Sequence, residues 1–252
     1  MSIPTSSSRA TTIELDSREG SDEPFSDDLI RRRIKEYKWF VHTNFGNGIV
    51  ARSDSWPDQP EDSWHAGASK FDFIVRRNLP DLQGKRILEI GCNAGVISIH
   101  MARLGAAEVV GVDCDRGWSK WKEQAEFVKA ALEWRCKATY NVRYVECDMG
   151  DLPSLDLGEF DAVIALNCLY YVDETTMARV TRHAAAVAPL FLVQSNVGDH
   201  PGLRHRTNVA FLQKLLESNG FPRVTVDQPW DKPRRGFLPR RYTRPVILGH
   251  RG

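Results

Sequence analysis

One stretch constrains this chain more than any other: Lys85-Arg86-Ile87-Leu88-Glu89-Ile90-Gly91-Cys92-Asn93-Ala94-Gly95-Val96-Ile97-Ser98. Ile87, Leu88 and Ile90 form a short apolar run of strand length. A turn with two glycines follows, and then Val96, Ile97, Met101 and Leu104 recur at helical spacing. That order predicts a buried parallel strand feeding a helix in an open α/β sheet. Gly91 and Gly95 let the backbone turn tightly and approach a ligand where a Cβ would block it. The helix N-terminus offers unpaired N–H groups to a polar or anionic part of that ligand. A dinucleotide fingerprint is G-x-G-x-x-G, its second glycine making room for a pyrophosphate. Here Asn93 stands at that position, within Gly91-x-x-x-Gly95. A nucleoside ligand without a pyrophosphate fits better than NAD, and Glu89 just before the turn is placed to accept hydrogen bonds from a cationic amine.

Three further runs extend the sheet. Val109 to Asp113 ends in a carboxylate about twenty residues after Gly91, near the spacing at which an acid meets ribose hydroxyls. Val142 to Cys147 leads into Asp148-Met149, and Phe160 to Leu166 into Asn167-Cys168-Leu169-Tyr170-Tyr171. The series E-x-G-x-x-x-G, V-G-V-D, C-D-M and F-D-A-V-x-A-L-N resembles the class I S-adenosylmethionine-dependent methyltransferases over about residues 64–196. Within them the chain is similar to the group holding the tRNA wobble-uridine carboxymethyltransferase and related small-molecule methyltransferases. The residues carrying that narrower likeness are Trp64, Lys70, the run 82–92 and the segment 167–171.

The resemblance implies an α/β fold: a Rossmann-like, mostly parallel sheet of seven strands, the last antiparallel, with an N-terminal helical lid. It implies S-adenosyl-L-methionine as cofactor, held by Glu89, Gly91, Asn93, Gly95, Asp113, Cys114, Asp148, Met149 and Leu166, with Lys70 beside them. Tyr170 maps onto a cofactor-contacting position and is a catalytic candidate, with Tyr171 as its neighbour. In the carboxymethyltransferase a tryptophan and a lysine near Trp64 and Lys70 bind the extra carboxylate of a carboxylated cofactor. Trp64 is one residue out of register, which favours ordinary S-adenosylmethionine and leaves Lys70 for the substrate or the methionine carboxylate. The implied reaction is SN2 methyl transfer to an O, N or C nucleophile of a small-molecule acceptor, secondary metabolites among the candidates.

At 252 residues with 42% apolar content, one large domain with a substantial core is expected. The net charge of +1 gives no global case for a nucleic-acid binder. The distribution is uneven, however. Acids dominate residues 11–30, and Lys232, Arg234, Arg235, Arg240, Arg241 and Arg244 crowd the C-terminal part, so an RNA-modifying methyltransferase is the alternative reading. Five cysteines without a C-x-x-C pair fit a reducing, cytoplasmic setting. No apolar run approaches a membrane span.

Residues 1–24 read as a disordered tail, being Ser/Thr-rich and then acidic. Residues 25–69 read as a lid or substrate segment and 70–252 as the cofactor-binding domain. A helix is expected over Leu29–Phe40, then loop or short-hairpin composition to residue 69, then a helix over 70–78. Trp118, Trp121, Ala125, Val128 and Leu132 predict a helix packed on the sheet. No H-x-x-x-H or H-E-x-x-H pair occurs among the seven histidines, which disfavours a metal. His42, between Trp39 and a glycine-rich loop, is the first candidate to orient or deprotonate a substrate.

Overall fold

The computed structural model describes residues 24–61, 66–115, 120–196, 203, 205–227 and 244–252. Calls made on the tail before residue 24, on Trp64, on Trp118 and on Arg234 to Arg241 lie outside the described residues. Seven strands form the main sheet: β3 (Arg86–Ile90), β4 (Glu108–Asp113), β5 (Val142–Glu146), β6 (Ala162–Leu166), β7 (Leu190–Gln194), β8 (Arg223–Asp227) and β9 (Val246–His250). They lie in the order β5-β4-β3-β6-β7-β9-β8. The first five are mutually parallel, and β9 runs antiparallel to both its neighbours. This is the mostly parallel sheet expected from the sequence. The strand order reverses at β3, whose successors go outward on one side through β4 and on the other through β6, so a crevice opens beyond their C-terminal ends.

The twofold alternation of a strand sorts its side chains between two packed layers. On β3, Ile87 joins the core under α3 (Val96–Arg103) and α4 (Trp121–Cys136), whereas Leu88 and Ile90 join the core under α5 (Glu174–Val187) and α6 (Val209–Ser218). By that alternation Glu89, Asp113 and Leu166 belong to the face carrying Ile87, Val109 and Ile164. Leu104, expected on the apolar stripe of α3, lies just past its end and is exposed.

The N-terminal segment departs most from expectation. The helix expected over Leu29–Phe40 is α1 (Asp27–Ile34), capped by the Ser26 side chain, which accepts from the Leu29 N–H at 3.1 Å. It stops early because Trp39 turns the chain back. The Trp39 indole donates to the Ile34 carbonyl at 2.9 Å, and its backbone N–H donates to the Asp54 carboxylate at 2.5 Å. A hairpin of β1 (Thr43–Asn44) and β2 (Val50–Ala51) follows. Tyr37 and Phe45 then pack against Phe127 of α4, with ring centroids 5.6 and 5.7 Å apart. Trp39, Phe45 and Ile30 are buried in the same core as Ile87 and Val109. The helix α2 (Gly67–Lys70) continues into a π-helical turn, Phe71–Arg76, and carries Lys70 to the inside of the molecule.

Candidate active site

The turn after β3 is the centre of the crevice. Gly91 (φ +73°), Asn93 (φ +48°) and Gly95 (φ +70°) all take left-handed conformations. A Cβ on Gly91 would fall 2.7 Å from Cys168 Cβ and 2.8 Å from its Sγ, so Gly91 permits the ends of β3 and β6 to close on each other. A Cβ on Gly95 would run into the hydroxyl of Tyr144. The Gly91 and Cys92 N–H groups donate to the Val112 carbonyl at 2.8 and 3.3 Å, tying the turn to the end of β4.

Asp113 completes that tie. One carboxylate oxygen accepts from the Asn93 N–H at 2.7 Å and the other from the Cys114 N–H at 2.8 Å. Each oxygen retains a lone pair for a ligand. Burial raises the Asp113 pKa above the usual carboxylate value, and the two N–H donors oppose that rise without cancelling it. Glu89 is 2% exposed and accepts from the Ser98 hydroxyl at the start of α3. Burial pushes its pKa up to about 8, against the Ser98 hydrogen bond and the Lys70 charge. Lys70, 4% exposed, is driven down to about 8 by burial and by the charge of Arg244, with Glu89 and Cys168 acting the other way. Its ammonium sits 5.5 Å from the centre of the Phe40 ring.

Phe40, Val41, Lys70, Glu89, Gly91, Asn93, Val96 and Leu166 enclose a cleft of about 40 Å³. Ligand pockets run to roughly 300 Å³ or more, so the cleft with residues 40–41 and the Lys70 side chain in their present positions is smaller than a nucleoside requires. A second, larger cavity of about 350 Å³ lies between the hairpin, α3 and α4, with Val96 in the wall of both. Size favours the larger cavity. Chemistry favours the smaller, because among the described residues the end of β3, the glycine turn and Glu89 line it, with Asp113 hydrogen-bonded to that turn.

The structure therefore brings Lys70, Glu89, Gly91, Asn93, Gly95, Asp113, Cys114 and Leu166 together around the turn. Asp148 and Met149 stand two strands away, beyond the end of β5. An oxygen of Asp148 accepts from the Gly150 N–H at 2.9 Å, and Met149 packs half-buried on the α5 side. His42, the expected substrate-orienting residue, lines the larger cavity, which shares Val96 with the smaller cleft. It pairs with Ala66 in a bridge, and its Nδ1 accepts from the Ser53 N–H at 3.0 Å, so the ring is held in the larger cavity. Burial, then the Arg52 charge, lowers its pKa. Tyr170 is 1% exposed on a short 3₁₀ turn, and burial raises its pKa, while Tyr171 beside it is 62% exposed. Tyr170 is not among the residues lining the cleft, but it lies near Arg244 and Cys168, which also face Lys70.

Sequence reasoning missed four participants. Ser98 reaches Glu89 from one helical turn into α3. Phe40 and Val41 cover the cleft. Asn167 (φ +59°) ends β6, with its side-chain N–H₂ donating to Gln194 at 2.8 Å. Among the described residues the amide oxygens of Asn93 and Asn167 are buried without a partner. A buried acceptor left unmet is costly, and two of them beside a glycine cradle fit a ligand that brings N–H or O–H donors. Ser98 was readable, being nine residues after Glu89 and close to the helix start; the others depend on tertiary packing.

The sheet order, the antiparallel β9 and the glycine turn with Asp113 at the end of β4 define the class I S-adenosylmethionine-dependent methyltransferase fold. Residues 87–188 match the family described as Methyltransferase domain. The ubiquinone biosynthesis O-methyltransferase of Xanthomonas oryzae pv. oryzae (strain PXO99A) is 35% identical over 135 residues, which are 51% of this chain and 50% of that one. The O-methyltransferase rstn1 of Aspergillus nomiae NRRL is 27% identical over 145 residues, 54% of this chain and 61% of that one. The chain thus spans about half the length of the first of these curated relatives. In fold it is similar to the N-terminal domain of EvdMO1 with SAH bound (TM-score 0.61, 21% identity, 90% of this chain and 97% of that one). It is also similar to the magnesium protoporphyrin IX methyltransferase of Synechocystis PCC 6803 with bound SAM (TM-score 0.52, 20% identity, 90% and 92%). Among the described residues no helix is long and apolar enough to cross a membrane.

Proposed function

We propose that the chain transfers a methyl group from S-adenosylmethionine to an oxygen of a small-molecule acceptor. The observation that carries this reading is the Gly91–Gly95 turn, locked by Asp113, with Glu89 buried behind it and two unmet amide oxygens beside it. Asp113, with Cys114, accepts the ribose hydroxyls, and Asp148 and Met149 flank the base beyond β5. Leu166 floors the cleft, and the backbone of Gly91, Asn93 and Gly95 admits the ligand closely. Glu89 meets the amine. S-adenosylmethionine, when bound, supplies an electrophilic methyl on a sulfonium. The chain's own task is then to hold nucleophile and methyl in line and to keep water out. Residues 39–41 serve as the gate, because Phe40 and Val41 cover the cleft. Segment 25–69 acts as the substrate segment and 70–252 as the cofactor-binding domain.

The acceptor is placed among small molecules because the relatives are named O-methyltransferases, and oxygen is preferred to nitrogen or carbon for the same reason. The finer likeness to the wobble-uridine group rests on Lys70 and on the runs 82–92 and 167–171. It leaves tRNA as the alternative acceptor, served by the arginines of the C-terminal part. The absence of a C-x-x-C pair among the cysteines at 92, 114, 136, 147 and 168 suits a reducing cytoplasmic setting.

Titration calorimetry tests the reading. S-adenosylhomocysteine should bind with micromolar or tighter affinity and NAD should not. The reading fails if neither binds or if NAD binds better. A mobility shift with bulk tRNA at physiological salt should show only weak association that added salt abolishes.

A further inference from the structure

We infer that the larger cavity is a second small-molecule site, separate from the methyl-transfer cleft, for a carboxylic acid whose elongated apolar body carries an acceptor oxygen. The inference goes beyond the methyl-transfer reading and stands without it.

The first observation is shape. The cavity holds about 350 Å³, which lies within the range of ligand sites. Phe45, Val50, Ala66 and Leu132 give it an apolar lining. Val96, His100 and Arg103 stand at i, i+4 and i+7 of α3, so one face of that helix lines the cavity. Seven residues of helix span about 10 Å, and a ligand lying along that wall is correspondingly elongated.

The second observation is a buried donor. His42 is 2% exposed and lines the cavity. Its Nδ1 accepts the Ser53 N–H at 3.0 Å, so that nitrogen carries no proton and the neutral ring holds its proton on Nε2. Burial, then the Arg52 charge, favours the same neutral form. Nε2 is buried without a hydrogen-bond partner; the Gln59 carbonyl lies toward the ring but outside hydrogen-bonding geometry. A buried donor left unmet is costly, and an oxygen on the ligand would meet it.

The third observation is charge. Of the ionisable groups around the cavity, Glu61 is held by Arg52 at 2.9 Å and Arg135 by Asp27. His100 stacks on Phe71 with ring centres 5.3 Å apart, and burial and the Arg103 charge, against Asp72, bring its pKa down to about 4, so it is neutral. Among the described residues Arg103 makes no ion pair, which leaves its guanidinium as the uncompensated charge of the wall. A carboxylate is the complement of a guanidinium. The cavity and the cleft share Val96, yet Lys70, Glu89 and the glycine turn line the cleft alone. An acid in the cavity therefore needs nothing from the cofactor-binding groups.

The test uses the full chain and 3-(4-methoxyphenyl)propionate as the probe, compared with 3-phenylpropionate, which lacks the ether oxygen, and with the probe's amide, which lacks the charge. Affinities are read by NMR titration. We expect the probe to bind at about 1 mM or tighter, the scale for a ligand of its size, and to bind equally in saturating S-adenosylhomocysteine. It should be preferred over each comparator by about three- to tenfold. Arg103→Gln should erase the preference over the amide alone. His42→Asn, which keeps an acceptor for the Ser53 N–H, should erase the preference over 3-phenylpropionate alone. In ¹⁵N-histidine spectra of the parent, His42 should appear as the Nε2–H tautomer, and its Nε2 signal should move on adding the probe. The inference is overturned if the probe shows no binding at about 10 mM, or if S-adenosylhomocysteine displaces it, which would seat it in the cleft. It is equally overturned if the Nε2 signal stays still or if either preference survives its substitution. Methyl transfer to the probe's carboxylate also overturns it, since the cavity would then be the acceptor site. Should His42→Asn fail to fold, Arg103→Gln and the parent's Nε2 signal decide. Parent protein that binds the probe but no S-adenosylhomocysteine refutes the methyl-transfer reading and leaves this site standing.

Discussion

Asp113→Asn separates what the carboxylate does for the fold from what it does for a ligand. In the folded chain both oxygens accept backbone N–H bonds, from Asn93 and Cys114, which suggests a large loss of stability on substitution. The raised pKa argues otherwise. Desolvation outweighs the two donors, so the ionised group is held in the fold at a net cost relative to water. The linkage runs in the same direction. A folded pKa above the unfolded one gives a stability contribution that is full below the unfolded value and is lost as pH rises through the folded value. Above the folded value that contribution is gone, and the amide removes the charge responsible.

Asparagine keeps one acceptor oxygen and turns an N–H₂ toward the other donor, so the two effects nearly offset and stability should change by no more than about 1 kcal/mol. Ligand affinity has no such compensation. Hydrogen bonds to a charged acceptor contribute about 1.5–3 kcal/mol each and neutral ones about 0.5–1.5. Replacing two of the first by one of the second costs about 2.5–4.5 kcal/mol, or roughly 70- to 2,000-fold in Kd. Differential scanning calorimetry and S-adenosylhomocysteine titration on the same preparation check both halves. Affinity unchanged within threefold would refute ribose binding by Asp113. A fall in stability as large as the loss of binding energy would refute the claim that the carboxylate is retained for the ligand.

Three other outcomes follow from the same geometry. Gly95→Ala combines a left-handed φ with a Cβ pushed into Tyr144, and should lower stability by at least about 2 kcal/mol in urea unfolding; a midpoint equal to the parent's would show that the turn relaxes freely. A 25–252 fragment should keep the parent's melting temperature, whereas a 49–252 fragment loses Trp39 and Phe45 from the core and should show no cooperative transition. Ligand-free protein should be least stable near pH 8. Glu89, with its pKa raised, contributes stability that is present below about 4.5 and lost as pH rises to about 8; Lys70, with its pKa lowered, contributes stability present above 10.5 and lost as pH falls to about 8. The minimum should vanish in a Glu89→Gln, Lys70→Met double variant, and chemical unfolding between pH 5 and 10 measures it.

What the chain discloses about itself divides along a physical line. The sheet was legible because its information is local. Ile87, Leu88 and Ile90 are consecutive, two glycines mark the turn, and Asp113 closes the next apolar run, so pattern alone places Glu89, Gly91 and Asp113 at neighbouring strand ends. The N-terminal segment was not legible to the same degree, because its helix ends by a tertiary event. Ile34, Tyr37 and Phe40 continue the helical spacing, yet the Trp39 indole takes the Ile34 carbonyl while Tyr37 and Phe45 find Phe127, some ninety residues away. The surroundings of His42 were not legible for the same reason. Its neighbours in sequence suggested a loop over the site, but the Ser53 N–H and the bridge to Ala66 hold it in the larger cavity. Lys70 shows the converse. Nothing in its local sequence says that a lysine at the end of a four-residue helix is buried, and only the π-helical continuation and the covering Phe40 put it there. A cation so placed has to be discharged, paired or used, and the cleft holds one carboxylate near it, already engaged by Ser98. The part of the site hardest to read from the sequence is therefore the part where the chain departs from simple burial rules.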